Sequence, residues 1–234
     1  MPVDLPLKLL QLTGGGSAVN TQDLGAMGQI GLDSKLADLA ERGVITIRDG
    51  ILSMDGRQRL VLAEQLIHNG FDPKKISSSL RWQEFEEFTE HVLCENGFST
   101  RKHFVFKSRT RRMEIDILAW NDTLILAVDC KHWLRGLSTG RMKEAAHAQL
   151  ERAIALSRKP ELLYRLKVKQ PEGRSIIPAI LALGELREPL IDGVPIVSVS
   201  KFLSFIYGVS PVDDAVRRVR VMNTQSHLTN PGTS

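Results

Sequence analysis

Hydrophobic and polar positions follow one pattern up to about residue 72 and a different one beyond it. In the first segment, apolar residues at helical spacing and polar caps predict three short helices: Leu5–Leu12, a stretch from Asn20 to about Met27, and Ser34–Arg42 behind an Asp33 cap. The run VITIRDGILSM then alternates on either side of Asp49-Gly50, a dipeptide typical of two-residue hairpin turns. A further helix, from about Arg57 to His68, completes a small unit.

Three helices followed by a hairpin is the order of a winged helix, so we predict a winged-helix domain over residues 1–72. The run from Asn69 to Pro73, which contains Gly70, and the lysines and serines after it predict a linker over residues 73–80. In residues 81–208, continuous apolar runs such as LILAV and IIPAILAL are typical of strands buried on both faces. They predict a second domain, of α/β class, with a mixed central sheet flanked by helices. Residues 209–234 are largely polar and predict a mobile tail.

The expected elements of the second domain alternate between helices and strands. In order they are a helix (82–96), three strands (100–107, 113–120 and 123–131), two helices (141–158 and 161–167), two strands (176–183 and 194–199) and a helix (200–207).

Composition limits the class of protein. With 42% hydrophobic and 25% charged residues among 234, the chain is typical of a globular protein, which excludes collagen-like, coiled-coil and wholly disordered proteins. No window approaches the roughly 18 uninterrupted apolar residues of a spanning helix, so we expect no membrane association and a cytoplasmic protein. The two cysteines, Cys94 and Cys130, are too far apart for a CxxC zinc pair and predict a reducing compartment.

Charge is distributed unevenly along the chain. Residues 1–72 carry 6 Lys/Arg against 9 Asp/Glu, a net of −3, whereas the remainder carries 25 against 18, a net of +7. The window from residue 101 to 112 has no acid and, besides His103, six cations: Arg101, Lys102, Lys107, Arg109, Arg111 and Arg112. We expect these to bind DNA phosphates, which gives backbone or shape recognition without a sequence code. The alternative is a solvated face.

The acidic first segment predicts a different role. Its presumed recognition helix places Asp38 and Glu41 at exposed positions, and acids repel phosphates. We therefore expect this domain to serve contact with a protein partner, self-association or weak positioning of substrate. Arg48, Arg57 and Arg59 leave DNA contact open.

One strand of the second domain carries two acids among apolar residues. In MEIDILAW, regular alternation places Ile115, Ile117 and Ala119 on one face. Glu114 and Asp116 then share the other face. An acid inside so apolar a strand indicates a functional site.

The neighbouring strand adds a carboxylate and an ammonium. In LILAVDCKHW, Asp129 and Lys131 project together, and Cys130 points the opposite way, into the core. A tight hairpin connection puts Asp116 and Asp129 on adjacent strands. This arrangement suits a hydrolytic metal site, in which the carboxylate binds Mg²⁺ and the lysine positions or activates the attacking water.

Two helices add one polar candidate each. On a helical wheel of residues 82–96, Glu86 falls at the edge of the apolar stripe, whereas the other acids point progressively outward: Glu90, Glu87 and Glu84. Gln149 lies within a small apolar stripe of the helix 141–158, and a buried amide must find partners. It either tethers substrate or a catalytic water, or is a polar residue at the flank of the helix. His132 and Trp133, after the lysine strand, either touch substrate or pack on the domain.

Together these segments resemble a known family. The run FEEF…GF from Phe85 to Phe98, EID at 114–116, DCK at 129–131 and a glutamine-bearing helix are similar to the PD-(D/E)XK nuclease superfamily. The likeness covers about residues 82–207 and is greatest to Mrr-like restriction endonucleases and archaeal Holliday-junction resolvases. It departs from the family's usual proline, glutamate and aromatic residue at three positions: Ile115, Asp129 and Ala153.

The resemblance implies a restriction-endonuclease-like fold and Mg²⁺-dependent hydrolysis of DNA phosphodiester bonds, with Mn²⁺ as a substitute. It implies that Asp116, Asp129 and the backbone carbonyl of Cys130 bind the metal, and that Glu86 binds it directly or through water. Lys131 would orient the nucleophile and stabilise the developing charge. The expected catalytic set is Glu86, Asp116, Asp129, Lys131 and Gln149.

The expected function is therefore that of a Mg²⁺-dependent endonuclease in restriction or in DNA repair and recombination. Since related nucleases commonly pair two active sites, we expect a homodimer. Two alternatives stay open: a structure-selective resolvase of branched DNA, and a non-catalytic winged-helix protein, DNA-binding or regulatory, on a nuclease scaffold. An RNA substrate is a third.

Overall fold

The computed structural model describes residues 5–25, 31–72, 75–76, 78–109, 111–131, 133, 138–184, 186, 188–209 and 215–223. The helices are α1 (Leu5–Leu12), α2 (Thr21–Gly25), α3 (Leu32–Glu41), α4 (Gly56–His68), α5 (Trp82–Glu95), α6 (Thr139–Ser157), α7 (Pro160–Arg165) and α8 (Phe202–Gly208). The strands are β1 (Val19–Asn20), β2 (Thr46–Arg48), β3 (Ile51–Ser53), β4 (Ser99–Ser108), β5 (Arg111–Trp120), β6 (Ile125–Lys131), β7 (Ser175–Ala182), β8 (Leu190–Ile191), β9 (Val194–Ser198) and β10 (Val219–Arg220).

The larger sheet confirms the predicted α/β class. Within the described residues it has seven strands, six of them in the order β4-β5-β6-β7-β9-β8, with β10 beside β7. The first three strands are antiparallel, whereas β6, β7 and β9 run parallel. Residues 125–130 of β6 are all buried, as the continuous apolar run predicts for a central strand covered on both faces.

The predicted mobile tail is wrong over its described part. Val219 and Arg220 pair with Ile176 and Ser175 at the start of β7, and Val221 is buried. Strand β9 pairs with β7 only opposite residues 180–182, so the beginning of β7 offers an edge. The alternating apolar residues Val219 and Val221 make this short segment suited to that edge.

The first segment contains the predicted helices and hairpin, with two local differences. Helix α3 begins at Leu32, not Ser34, because Gly31, with φ of 71°, precedes the first turn and Asp33 lies within that turn. Asn20 and Val19 also form a strand with β3, which the sequence pattern did not indicate. Helix α4 begins with a capping box, in which Asp55 accepts the N–H of Gln58 and the Gln58 side chain accepts the N–H of Asp55.

A buried arginine joins the two segments. Arg59 of α4 is 1% exposed and donates to Glu84 Oε1 of α5 at 2.7 Å, to Leu10 O at 2.6 Å and to Thr13 Oγ1 at 2.7 Å, and also to the carbonyl of Ser79. Arg59 is thus unavailable to DNA, and the predicted outward position of Glu84 is wrong. The apolar stripe on the helical wheel marks only the face of α5 that packs on the sheet. Helix α4 covers a second face, and Glu84 lies there.

The described part of the predicted linker is anchored by two apolar residues. Ile76 and Leu80 are buried and belong to one apolar cluster, which includes Leu9 and Leu60 of the first segment and Phe85 of α5. Apolar contacts across the junction hold the first segment against the helix that carries Glu86. In the described part of the chain, no helix is long and apolar enough to cross a membrane.

Candidate active site

Strands β4 and β5 lose their regular pairing at one position. The pairing passes from Lys102 opposite Ile117 directly to Phe104 opposite Ile115. His103, between them, has a left-handed φ of 48°, which is uncommon for a residue other than glycine. On the other side of β5, the ladder with β6 ends at Ile117 opposite Val128. Asp116 therefore lies at a fork in the sheet.

The alternation of side chains reverses at this fork. Ile115 and Phe104 pack in the cluster that includes Leu156 of α6, whereas Ile117 and Ala119 pack in the cluster that includes α5. The prediction that Ile115 shares a face with Ile117 and Ala119 is therefore wrong. Period-two alternation assumes a regular extended strand, and the ladder of β4 and β5 is interrupted at His103 and Asp116.

The fork directs the Asp116 carboxylate at the neighbouring strand. Its Oδ2 accepts the backbone N–H of Cys130 at 2.8 Å. Burial raises the pKa of Asp116 to about 6, and the negative charges of Asp129 and Glu86 act in the same direction. The hydrogen bond from Cys130 and the charge of Lys131 lower this pKa and only partly compensate. We call Glu86, Asp116 and Asp129 the carboxylate cluster.

Asp129 is 2% exposed and meets two cations. Its Oδ1 accepts a hydrogen bond from Arg152 Nη1 at 3.3 Å, and its Oδ2 lies 2.7 Å from Lys131 Nζ. That ammonium makes an ion pair but does not lie along a hydrogen-bond direction, so Oδ2 has no hydrogen-bond donor among the described residues. Among the oxygens of this carboxylate, Oδ2 is therefore the better placed to bind a cation.

Glu86 faces inward from α5, as the helical wheel predicts. Its Oε1 accepts the indole N–H of Trp82 at 2.7 Å, and its Oε2 lies 3.1 Å from His103 Nε2. The other ring nitrogen of His103 lies 3.2 Å from Glu114 Oε1, so this imidazole bridges two carboxylates. Spacing along the chain did not indicate His103 as a site residue, because periodicity carries no signal for its left-handed backbone.

Lys131 stands at the exposed end of β6. Its Nζ lies 5.4 Å from the centroid of the Trp82 ring, a cation–π distance. Cys130 points the opposite way, as predicted, with its sulfur 3.6 Å from Thr89 Oγ1; burial raises the pKa of this thiol. Trp133 is half-buried and packs on the cluster that includes Met142, and His132 lies outside the described residues.

Gln149 is fully buried but reaches the carboxylate cluster only indirectly. Its Nε2 donates to Ala127 O at 2.7 Å, and its Oε1 accepts from Arg152 Nη1 at 3.0 Å. Both ends of the amide are thus engaged within the protein, and Gln149 positions Arg152 against Asp129. Arg152 was not among the predicted site residues; its spacing of three residues from Gln149, on the same helical face, was the available signal.

The cations of residues 101–112 divide into two groups. Lys102 binds Glu90 of α5 at 2.8 Å, and this hydrogen bond is the main cause of its raised pKa. The other five side chains are exposed: Arg101, Lys107, Arg109, Arg111 and Arg112. Lys107 pairs with Arg112 across the two strands, and Arg111 is 3.6 Å from Glu151 of α6. The hairpin therefore presents positive charge beyond the fork that holds Asp116.

Comparisons with known proteins leave the activity of the chain open. No protein-family model matches it. An uncharacterized protein of Archaeoglobus fulgidus is 34% identical over 84 residues, which cover 34% of this chain and 65% of that protein. AF1548, a protein of unknown function, has a crystal structure that covers 49% of this chain and 56% of its own, with 15% identity and a TM-score of 0.32.

Protein VC1899 of Vibrio cholerae is a second structural neighbour. The match covers 85% of this chain and 48% of that protein, with 12% identity and a TM-score of 0.36. None of the three names states an activity, so any functional conclusion must come from the site itself.

Proposed function

We propose that this protein is a metal-dependent endonuclease that hydrolyses DNA phosphodiester bonds in the cytoplasm, in restriction or in DNA repair and recombination. The observation that carries the proposal is the fork. There a half-buried Asp116 with a raised pKa meets Asp129 and Lys131, whose carboxylate and ammonium are in contact. Perturbed, buried carboxylates beside a lysine are typical of functional sites. Nothing in ordinary packing requires three acids at one end of a sheet.

The donors of the site fit Mg²⁺ or Mn²⁺. Asp116, Asp129 and the carbonyl of Cys130 supply hard oxygen ligands, with Glu86 bound directly or through water. Oδ2 of Asp129 lacks a hydrogen-bond donor among the described residues, and burial together with negative neighbours raises the pKa of Asp116. A divalent cation would supply Asp129 Oδ2 with a positive partner and would lower the pKa of Asp116. Bound there, it would polarise the phosphate and make water a stronger nucleophile.

A complete cage of protein ligands is not needed for such a cation. Among the described residues, no three His, Cys, Asp or Glu side chains are grouped closely enough to hold a metal. Mg²⁺ usually combines one or two carboxylates with waters and substrate oxygens. The donors of this site are consistent with that mode.

Each residue of the site has a separate task in this proposal. The Cys130 N–H holds the Asp116 carboxylate in place, and Trp82 holds Glu86. Lys131, a quarter exposed at the strand end, orients the attacking water and stabilises negative charge on the phosphate. Gln149 and Arg152 position Asp129 and do not contact the substrate.

The cation-rich hairpin of β4 and β5, residues 101–112, which we call the basic hairpin, supports nucleic acid as the substrate. Four of the five exposed cations lie toward the β4–β5 turn and Arg101 lies on the other side of the Asp116 position, so a phosphate backbone bound to them passes the carboxylate cluster. Cutting both strands of a duplex would require two sites, which makes a homodimer part of the proposal. The acidic first segment remains a candidate surface for a protein partner.

A cleavage assay with purified protein tests the proposal. Supercoiled plasmid, linear duplex, single-stranded and four-way-junction DNA would be incubated with Mg²⁺, Mn²⁺ or EDTA. We expect metal-dependent cutting that falls by at least about 100-fold in Asp116→Asn and in Lys131→Met. Asp122→Asn, a change of an exposed acid in the β5–β6 turn, is the matched control.

Three outcomes of this assay are informative. Loss of cutting in both site variants, with the control unchanged, would support the nuclease. DNA binding with no cutting of any substrate would favour the non-catalytic scaffold. Equal cutting by wild type and both site variants would assign the activity to another site or to a contaminant.

A further inference from the structure

The two ring nitrogens of His103, at the fork of the sheet, have different surroundings. Nδ1 donates to Glu114 Oε1 at 3.2 Å, because an ionised carboxylate can only accept. A neutral imidazole that donates through Nδ1 carries a lone pair on Nε2. Nε2 lies 3.1 Å from Glu86 Oε2, and within the described part of the chain the imidazole makes no hydrogen bond other than that to Glu114. Two electron-pair donors, one nitrogen and one oxygen, therefore face each other.

The separation of these two donors suits a single cation. Ligand bonds of about 2.1 Å at right angles place neighbouring donor atoms about 3 Å apart. His103 Nε2 and Glu86 Oε2 have this separation. Histidines that bind metals usually donate their other ring nitrogen to a carboxylate, which fixes the ring and strengthens the ligand. Glu114 supplies that carboxylate here.

Both donors are held in place by their surroundings. Trp82 donates to Glu86 Oε1 at 2.7 Å, so Oε2 is the oxygen on the side of His103. His103 has a left-handed φ of 48° and is passed over by the ladder between β4 and β5, opposite Asp116. Such a backbone at a residue other than glycine often accompanies a functional site. Here it brings the imidazole to α5 and the carboxylate cluster.

We propose that Glu86 Oε2 and His103 Nε2 bind one divalent transition-metal ion, with water in its remaining positions. Mg²⁺ takes oxygen ligands, whereas first-row transition metals, Mn²⁺ included, also accept imidazole nitrogen. The pair therefore selects Mn²⁺ over Mg²⁺. Because Glu86 belongs to the carboxylate cluster, the inference rests on the proposed function for the use of this ion in hydrolysis.

Pulsed electron paramagnetic resonance of bound Mn²⁺ tests the nitrogen ligand without reference to activity. Untagged protein would be loaded with substoichiometric Mn²⁺, and the spin echo would be examined for the nitrogen coupling of a directly bound imidazole. We expect this coupling in wild type and its loss in His103→Asn. Asparagine adopts left-handed φ readily, so this variant removes the imidazole and keeps the backbone.

The matched control removes an imidazole elsewhere. His147→Asn changes an exposed histidine of α6, and we expect it to retain the nitrogen coupling. The affinity for Mn²⁺, measured from the signal of the free ion, should fall by about 10-fold or more in His103→Asn. The affinity for Mg²⁺, measured by its displacement of Mn²⁺, should change by less than about 2-fold. Thermal unfolding without metal checks that each variant retains the fold.

Three results would overturn the proposal. Bound Mn²⁺ without nitrogen coupling in wild type would leave His103 as an ion-pair partner of Glu86. Coupling that persists in His103→Asn would assign the nitrogen to another residue. An equal fall in the affinities for Mn²⁺ and Mg²⁺ would mean that His103 only orients Glu86.

Failure of the proposed function gives a different pattern. If wild type binds Mn²⁺ through His103 but cuts no DNA, the nuclease proposal fails and the metal ligand stands. If wild type cuts DNA with Mn²⁺ but its bound ion has no nitrogen coupling, the ligand fails and the nuclease stands.

Discussion

Arg152 Nη1 lies 3.3 Å from Asp129 Oδ1, and the same nitrogen donates to Gln149 Oε1 at 3.0 Å. Helix α6 thereby holds Oδ1 of the Asp129 carboxylate through Arg152, while Oδ2 faces Lys131. Gln149 is anchored in turn by the carbonyl of Ala127, in the same strand as Asp129. A closed set of contacts between α6 and β6 therefore determines the direction of the carboxylate proposed to bind the metal.

We predict that Arg152→Gln weakens metal binding without unfolding the protein. The lost contact leaves Asp129 free to rotate, and second-layer contacts of this kind contribute about 10- to 100-fold in metal affinity or activity. The Mg²⁺ concentration for half-maximal cleavage should rise by about 10-fold, with activity recovered at high Mg²⁺. Arg158→Gln, an exposed arginine at the end of the same helix, is the control. Activity that high Mg²⁺ does not recover would contradict a positioning role.

The raised pKa of Asp116 predicts a pH-dependent cost to stability. This half-buried carboxyl, with a pKa of about 6 against 3.8 when unperturbed, holds its proton more tightly in the folded state. Its contribution to stability is therefore complete below about pH 4 and is lost as the pH rises to about 6. Without metal, Asp116→Asn should raise the free energy of unfolding by about 1–3 kcal/mol at pH 7.5 and by little at pH 4.

Denaturation in EDTA at both pH values checks this prediction. Asp122→Asn, which changes an exposed acid of the same hairpin, should have little effect at either pH. Adding Mg²⁺ should stabilise wild type more than Asp116→Asn. If Asp116→Asn raised the free energy of unfolding equally at pH 4 and pH 7.5, ionisation of Asp116 would not be the cause of the increase.

Local sequence patterns were sufficient for the elements that carry the site. The apolar run of β6 predicted a central strand, and the stripe of α5 predicted that Glu86 faces inward, because both depend on neighbours within one element. The pattern failed where distant segments meet. Burial of Glu84 requires Arg59, 25 residues earlier, and no periodicity within α5 indicates that partner.

Two further features of the site depend on tertiary geometry. The reversal of faces at Asp116 lies opposite a left-handed residue on the adjacent strand, His103, and periodicity within one strand does not indicate such a local departure. The amide of Gln149 was expected to be buried, but its partners come from β6 and from its own helix. A sequence can indicate that a buried amide needs partners, but it cannot say which atoms satisfy it.

The basic hairpin predicts a division of labour among its cations. Replacing Arg109, Arg111 and Arg112 by Gln should weaken DNA binding at all sequences and reduce the slope of log K against log salt by up to about 3. Lys102→Gln is the control, since its ammonium binds Glu90 and is directed at α5. Fluorescence anisotropy at several salt concentrations measures the slope for the triple variant and for the Lys102→Gln control. An unchanged slope in the triple variant would exclude phosphate contacts by these arginines.

The buried pair of Arg59 and Glu84 predicts that the two segments unfold together. Arg59→Met leaves the Glu84 carboxylate buried without a counter-ion, which costs about 3–5 kcal/mol. Adding Glu84→Leu to Arg59→Met should recover much of that loss, because the uncompensated charge is then absent. Arg57→Met, an exposed neighbour in the same helix, should change stability by about 0.5 kcal/mol or less.

Urea unfolding followed by two signals distinguishes a joint transition from separate ones. The three tryptophans all lie beyond residue 80, so their fluorescence reports the second segment, whereas circular dichroism reports helices of both. Coincident transitions in wild type are expected, because one apolar cluster runs through α1, α4 and α5. Separated transitions in wild type would show that the segments fold independently. In that case Arg59 would contribute a local contact, and the first segment could not hold α5 and Glu86 in place.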